Sequence, residues 1–290
     1  SGDQSMRNNT TGSNNTAYGT NSLNGNTTGT RNIAMGYGAL DAPDTENDNL
    51  AIGYDALGGS IVGGEFNVAI GNYSLDANTS GDYNVGVGYD ALTANTTGSN
   101  NTAYGYRSML SNTTGGNNTA YGLRSMYSNT TGNYNTTSGS RSMYSNTEGN
   151  YNTAYGYYSL YANTTGSKNT SSGYKSLNAN ITGGSNTASG HESLKSNTTG
   201  SGNTAYGNYS LKANTTGNYN TASGYYSLYS NTTGTRNLAI GYRAYDAADT
   251  EDDNLAIGHN ALGGAIAGGE FNVAIGNYSL DAATSGDNNT

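Results

Sequence analysis

NTAYGYRSMLSNTTGGN (101–117) runs directly into NTAYGLRSMYSNTTGNY (118–134), two stretches of seventeen residues that align position for position. The Asn that opens each stretch can be followed outward in both directions. It returns at Asn15, Asn32 and Asn49, at Asn67 after one eighteen-residue step, then at Asn84, Asn101, Asn118, Asn135, Asn152, Asn169, Asn186, Asn203, Asn220, Asn237 and Asn254. A second eighteen-residue step leads to Asn272, and Asn289 closes the series. With that Asn as position 1, position 2 is Thr or aliphatic, position 3 is small, position 4 is Tyr, Ser or an apolar residue, and position 5 is Gly. Position 8 is Ser or Ala, position 9 is Leu or Met except at Tyr245, and positions 12 to 15 are usually Asn-Thr-Thr-Gly.

A unit of this length is too short for a helical hairpin, and Gly and Asn at fixed places in every unit would cost each helix heavily. The pattern predicts an all-β chain: a parallel β-solenoid of 17-residue coils, each made of two short strands and two tight turns, with Gly and Asn supplying left-handed backbone conformations. Coils stacked at strand spacing, ~4.8 Å, would build a rod of roughly 80 Å. Stacking sets equivalent residues above one another, so position 1 becomes a ladder of asparagines whose amides bond from coil to coil. Position 4 ranges from Ile70 to Tyr155 to Ser189, whereas positions 3 and 5 stay small. A narrow interior tolerates uniform residues better than variable ones. Positions 3, 5 and 9 are therefore expected inside, and positions 2 and 4 outside.

Composition alone would argue for disorder. Leu, Ile, Val and Phe make up about a ninth of the 290 residues, below the roughly 20% at which a packed core is usually doubted. Strict periodicity and a net charge of only −9 argue the other way. The absence of Cys removes disulfides, thiolate metal sites and cysteine nucleophiles. No apolar run approaches the ~20 residues needed to span a bilayer as a helix, so no membrane insertion is expected in these residues. Lys and Arg occur singly on an acidic chain of pI about 4.5, which argues against nucleic acid as a partner.

A longer repeat overlies the short one, because residues 237–288 closely match 32–83, and both copies carry a Gly-rich insert, Gly58–Gly64 and Gly263–Gly269. Ser1 falls inside a coil and Thr290 just past a position-1 Asn, so residues 1–290 read as one uncapped solenoid region, expected to be a fragment of a longer repeat protein.

The coils Asn67, Val68, Ala69, Ile70, Gly71, Asn72, Tyr73, Ser74 and Asn272 to Ser279 resemble the head repeat of trimeric autotransporter adhesins. The Asn-Thr-Ala-x-Gly units are similar to repeats of phage tail-fibre and bacterial surface proteins. The resemblance implies a left-handed parallel β-roll, three chains wound together, and a role in attachment at a cell surface or on a virion fibre. Ile52, Ile70, Ile240 and Ile275 would then lie against a threefold axis.

The acidic turns at Asp44, Glu46, Asp48 and at Asp249, Glu251, Asp252, Asp253 each gather several carboxylates. Such a group suits an oxygen cage for calcium, although the signature of calcium-binding β-rolls is missing; the other reading is a solvated acidic turn. His191 and His259 both occupy position 6, four coils apart, too far to share a metal or relay a proton. No nucleophile, base or metal cluster suggests an enzyme, and no cofactor is expected. The chain has 27 Tyr; on a regular coil they either form exposed stripes suited to glycan or protein contact or pack between coils. The Asn-Thr-Thr and Asn-Asn-Thr runs match the N-glycosylation pattern, but the repeat already explains them. Two functions compete: a structural, adhesive extracellular fibre segment, self-associating as a homotrimer and presenting a surface to a host or cell-surface glycan or protein, and an ice-binding solenoid using Thr ladders at positions 13 and 14. The acidic turns interrupt those ladders.

Overall fold

A computed structural model describes residues 2–42, 44–264, 268–282 and 286–290. Part of the second Gly-rich insert, residues 265–267, therefore lies outside the described residues. The chain divides into two compact units, 1–148 and 149–290, and each is a parallel β-solenoid. Among the described residues there is no helix, and thus none long and apolar enough to cross a membrane.

The first unit holds strands Thr16–Tyr18 (β1), Ile33–Met35 (β2), Leu50–Ile52 (β3), Val68–Ile70 (β4), Val85–Val87 (β5), Thr102–Tyr104 (β6), Thr119–Tyr121 (β7) and Thr136–Ser138 (β8). The second holds Thr153–Tyr155 (β9), Thr170–Ser172 (β10), Thr187–Ser189 (β11), Thr204–Tyr206 (β12), Thr221–Ser223 (β13), Leu238–Ile240 (β14), Leu255–Ile257 (β15) and Val273–Ile275 (β16). Within each unit, strands adjacent in sequence pair in parallel at the repeat step. Ala103 lies opposite Ala120, and Ala256 opposite Ala274.

Every strand is positions 2 to 4, bounded on both sides by left-handed backbone. Before it stands position 17, as in Asn100 at φ 61°; after it stands the position-5 Gly, as in Gly88 at φ 139°. Gly88 is required twice over, because a Cβ there would also fall 2.5 Å from the carbonyl oxygen of Gly105 in the next coil.

The expected second strand of each coil does not form. Positions 7 and 9 are left-handed, for example Arg107 at φ 55° and Met109 at φ 51°, and this breaks any extended run. Coil-to-coil pairing persists in another form. The Arg107 N–H donates back to Tyr89 (2.9 Å), the Met109 N–H donates forward to Ser125 (3.0 Å), and the Ser108 N–H closes a turn on Gly105 (3.2 Å). A left-handed non-glycine residue costs about 1–2 kcal/mol. Here it is offset by those bonds and by complete burial of the position-9 side chain in Leu92, Met109 and Met126.

The interior is narrow and half polar. Position 3 is buried as Ala34, Ala103 or Ala205, and positions 1 and 12 are buried asparagines. The position-1 ladder forms as the sequence predicts. Asn84 Oδ1 accepts from both the backbone N–H (3.0 Å) and Nδ2 (3.1 Å) of Asn101. Its own Nδ2 reaches across the coil to the Gly98 carbonyl (2.8 Å). A second ladder, at position 12, is legible only in the structure: Asn95 Nδ2 donates to Asn78 Oδ1 (2.9 Å) and to the same Gly98 carbonyl (2.9 Å). Both amide rows thus converge on the position-15 carbonyl, which satisfies buried polar atoms that would otherwise be costly. Where position 12 is Asn, position 15 must be small for this, since a Cβ on Gly98 would lie 2.6 Å from Asn95 Oδ1.

Tyr245, the exception at position 9, is fully buried, and Ala248 stands at position 12 where Asn is usual. The larger ring takes the room that the smaller residue leaves, and its hydroxyl accepts from Asn254 Nδ2 (2.8 Å).

Candidate functional site

In an ordinary coil the N–H groups of positions 13, 14 and 15 converge on one carbonyl of the next coil. Thr96, Thr97 and Gly98 all donate to Thr113 O, at 2.9, 3.2 and 3.3 Å. Such a nest favours an electron-rich partner. Where the next coil carries the Gly-rich insert, a glutamate carboxylate stands in for that carbonyl. Glu46 Oε2 accepts from Asp44 N (2.8 Å) and Thr45 N (3.0 Å), and its Oε1 accepts from Gly63 N (2.8 Å). Glu251 repeats the arrangement with Asp249 N (2.9 Å), Thr250 N (3.1 Å) and Gly268 N (3.2 Å). This explains why each acidic turn precedes an insert.

The remaining candidates for calcium turn elsewhere. Asp48 is bound by Arg31 at 2.5–2.6 Å and Asp253 by Arg236 at 2.6 Å, and these guanidinium groups hold both carboxyls below the usual carboxylate range. Asp44 Oδ1 accepts from the Thr27 hydroxyl, Asp249 Oδ1 from the Thr232 hydroxyl (2.6 Å), and Asp252 Oδ1 from Thr235 N (2.6 Å). The structure does not bring these carboxylates around one point. Among the described residues no group of three or more His, Asp or Glu side chains is placed to hold a metal ion.

A different acidic group escaped the sequence reading. Asp41, Asp55 and Asp76 belong to successive coils and face one another across Gly38 and Gly58, whose missing side chains leave room for the Asp55 and Asp76 carboxylates. Burial, with repulsion from Asp55 and Asp76, pushes Asp41 up to about 6. Asp55 and Asp76 are raised as well, chiefly by burial. The signal was present as Asp at positions 7 and 10 opposite Gly at the same positions of the neighbouring coil.

His191 and His259 sit within aromatic columns. His191 stacks on Tyr174 (5.0 Å between ring centroids) and meets the edge of Tyr209 (5.1 Å). His259 stacks on Tyr242 (5.1 Å) and meets Tyr278 (4.9 Å). The tyrosines take both expected roles at once. Tyr37 and Tyr54 (5.2 Å), Tyr104 and Tyr121 (5.2 Å), and Tyr127 and Tyr144 (4.9 Å) stack ring on ring between coils. Tyr37, Tyr54, Tyr104 and Tyr121 nevertheless remain exposed.

Positions 2 and 4 face outward, as the size argument predicts, and produce an exposed apolar strand face. Ile33 is 39% exposed, Met35 42%, Ile240 40% and Ile275 65%, whereas Ala34 and Ala239 between them are fully buried. Ile52 and Ile70 are half-buried.

The Thr ladders are not equivalent. Position-14 side chains such as Thr97 and Thr114 are exposed, but position-13 hydroxyls donate to backbone, Thr96 to Thr113 O and Thr113 to Thr130 O, both at 3.0 Å. The Asn-Thr-Thr glycosylation patterns place their acceptor amide at position 12, where Asn112 is buried and its Nδ2 donates to Asn95 Oδ1 (2.7 Å) and Gly115 O (2.9 Å).

No protein-family model matches the chain, and neither a curated protein nor a solved structure matches it.

Proposed function

We propose that this chain is a structural, non-enzymatic segment of an extracellular or virion fibre: a stiff repeat solenoid that self-associates through its strand face and presents side-chain columns to a glycan or protein on another surface. The observation that carries this reading is the outer strand face of β2–β5 and β14–β16, where Ile, Val, Leu and Met point outward while Asn, Ser and Ala share the interior with the single buried Leu/Met column. Exposed contiguous apolar area on a regular surface marks an interaction site. The likeness of the Val68-Ala69-Ile70-Gly71 coil to adhesin head repeats supports a homotrimer wound as a left-handed roll.

The test is the mass in solution. Light scattering is expected to give about three times the 29.8 kDa of one chain. Ile70→Asp together with Ile275→Asp is expected to split the assembly, because each places a charge in a desolvated apolar contact. A single-chain mass for the unsubstituted protein overturns the self-association.

An ice-binding reading draws only on the exposed position-14 threonines, since position-13 hydroxyls are committed to the backbone. Thermal hysteresis above that of an inert protein at equal concentration would favour it instead.

A further inference from the structure

In the first unit, position 6 builds a column of phenol rings that touch from coil to coil. Tyr37 stacks on Tyr54 (5.2 Å between centroids, 10° between planes) and Tyr89 on Tyr106 (5.6 Å, 14°). Between these pairs position 6 is Asn72, which gives no ring; its Oδ1 accepts from the Tyr54 N–H (3.0 Å). The ring of that coil comes from position 7 instead. Tyr73, left-handed at φ 59°, meets Tyr54 edge to face at 5.4 Å and Tyr89 at 5.9 Å. The column Tyr37–Tyr54–Tyr73–Tyr89–Tyr106 is therefore unbroken. The second unit makes the same exchange: Asn208 and Asn277 accept from the His191 and His259 N–H groups, and Tyr209 and Tyr278 supply the rings. Stacking by itself asks only for a ring, yet the chain has 27 Tyr and 2 Phe. Tyr37, Tyr54, Tyr89 and Tyr106 are exposed, and position 6 lies past the Gly turn that ends each strand, outside the strand face of positions 2 and 4.

We infer that this column is a site of oxidative tyrosine coupling, which ties successive coils by carbon–carbon bonds in a chain that has no Cys for disulfides. The oxidant is hydrogen peroxide acting through a peroxidase. It takes one electron and the phenolic proton from each of two neighbouring rings. The two phenoxyl radicals join through carbons ortho to their oxygens, and the two ortho hydrogens move as protons to the oxygens and restore the hydroxyls. In sum two phenols lose two hydrogens, and one peroxide becomes two waters. Rings held in contact by the backbone meet at an effective concentration that separate chains in dilute solution do not reach. Each bond closes a loop of about one coil and so restricts the unfolded chain as a disulfide does. Phe66 on Tyr83 (4.9 Å, 2°) is a built-in control, the same stack with one phenol missing. The inference depends neither on chain mass nor on a ligand, so it stands or falls apart from the proposed function.

The test treats the full chain, dilute and folded, with hydrogen peroxide and a haem peroxidase. Products are separated by denaturing electrophoresis, and the single-chain band is cut at Asp and Glu for mass spectrometry. Asp41, Asp55, Asp76 and Asp90 fall between the five rings, so each ring lies on its own peptide. Coupled peptides joining neighbours in the column are expected, Tyr37 to Tyr54 and Tyr89 to Tyr106 among them. Tyr54→Phe with Tyr89→Phe keeps every ring but leaves no two phenols adjacent in the column; it should melt as the parent does before oxidation and lose these coupled peptides. After oxidation, residues 37–106 of the parent should exchange their amide hydrogens in urea about tenfold more slowly than those of the variant. The site is overturned if the coupled peptides are absent, if they occur only in bands of more than one chain, or if Tyr83 couples as readily as Tyr89. Equal exchange in parent and variant overturns the tying of coils.

Discussion

Replacing Asn84 with Ala tests whether amide ladders do the work of a core. The side chain makes four hydrogen bonds, accepting from Asn101 N and Nδ2 and donating to Gly98 O and Asn67 Oδ1. Three of the groups released keep another partner. Asn101 Nδ2 still reaches Gly115 O, Gly98 O still receives Asn95 Nδ2, and Asn67 Oδ1 still receives the Asn84 N–H. The Asn101 backbone N–H, buried, loses its acceptor. An orphaned buried donor costs about 1–3 kcal/mol and each further net hydrogen bond about 1 kcal/mol, so a loss of about 2–4 kcal/mol is expected. Thr97→Ala, at an exposed site of the same coil, serves as the control and should lie within about 0.5 kcal/mol of the parent. Asn84→Asp should keep the acceptor for Asn101 N but turn a carboxylate oxygen toward the Gly98 carbonyl, so its deficit should shrink as the pH falls and the group protonates. Urea unfolding followed by circular dichroism gives the values, and hydrogen exchange shows whether the loss centres on residues 84–101. An Asn84→Ala protein as stable as Thr97→Ala would refute the claim that the ladder replaces apolar burial.

Removing the glutamate clasp by Glu46→Ala should release three backbone donors, cost about 2 kcal/mol or more, and bring early proteolytic cuts into Gly58–Gly64; unchanged cleavage there would remove its role. Chelator is expected to leave the melting temperature unchanged, and a drop that Asp44→Ala with Asp249→Ala abolishes would restore the calcium reading. Asp41, held at about 6 in the fold against an ordinary value of 3.8, binds its proton more tightly when folded. Stability should therefore fall as pH rises from about 4 to 6 and stay low above. After allowance for its partial exposure the effect is about 1 kcal/mol, and comparing melts at pH 5 and 7 for the parent and Asp41→Asn checks it.

Much of the coil was legible before any coordinates, because stacking turns a linear period into a set of rows. A row enclosed by other rows must hold residues of one size, so the constancy of Ala34, Ala103 and Ala205 and the variability of Ile70, Tyr155 and Ser189 already separated inside from outside. The position-1 ladder followed from the same logic.

What the tertiary structure decided lies where one coil meets the next, seventeen or more residues away, and where backbone conformation aims the side chain. The left-handed turns at positions 7 and 9 are filled by Arg107, Tyr158, Glu192 and Leu92, residues that carry no local mark of that conformation, so a second strand looked as reasonable as the turns that form. Glu46 and Glu251 read as cation ligands in isolation. Only the missing carbonyl of the following coil makes them acceptors for backbone N–H groups, which leaves less of their charge to offer a metal. Whether a charged side chain is paired also depends on its neighbour one coil along, as Arg31 over Asp48 and Arg124 beside no carboxylate show, and that neighbour is set by the stacking register rather than by proximity in the chain.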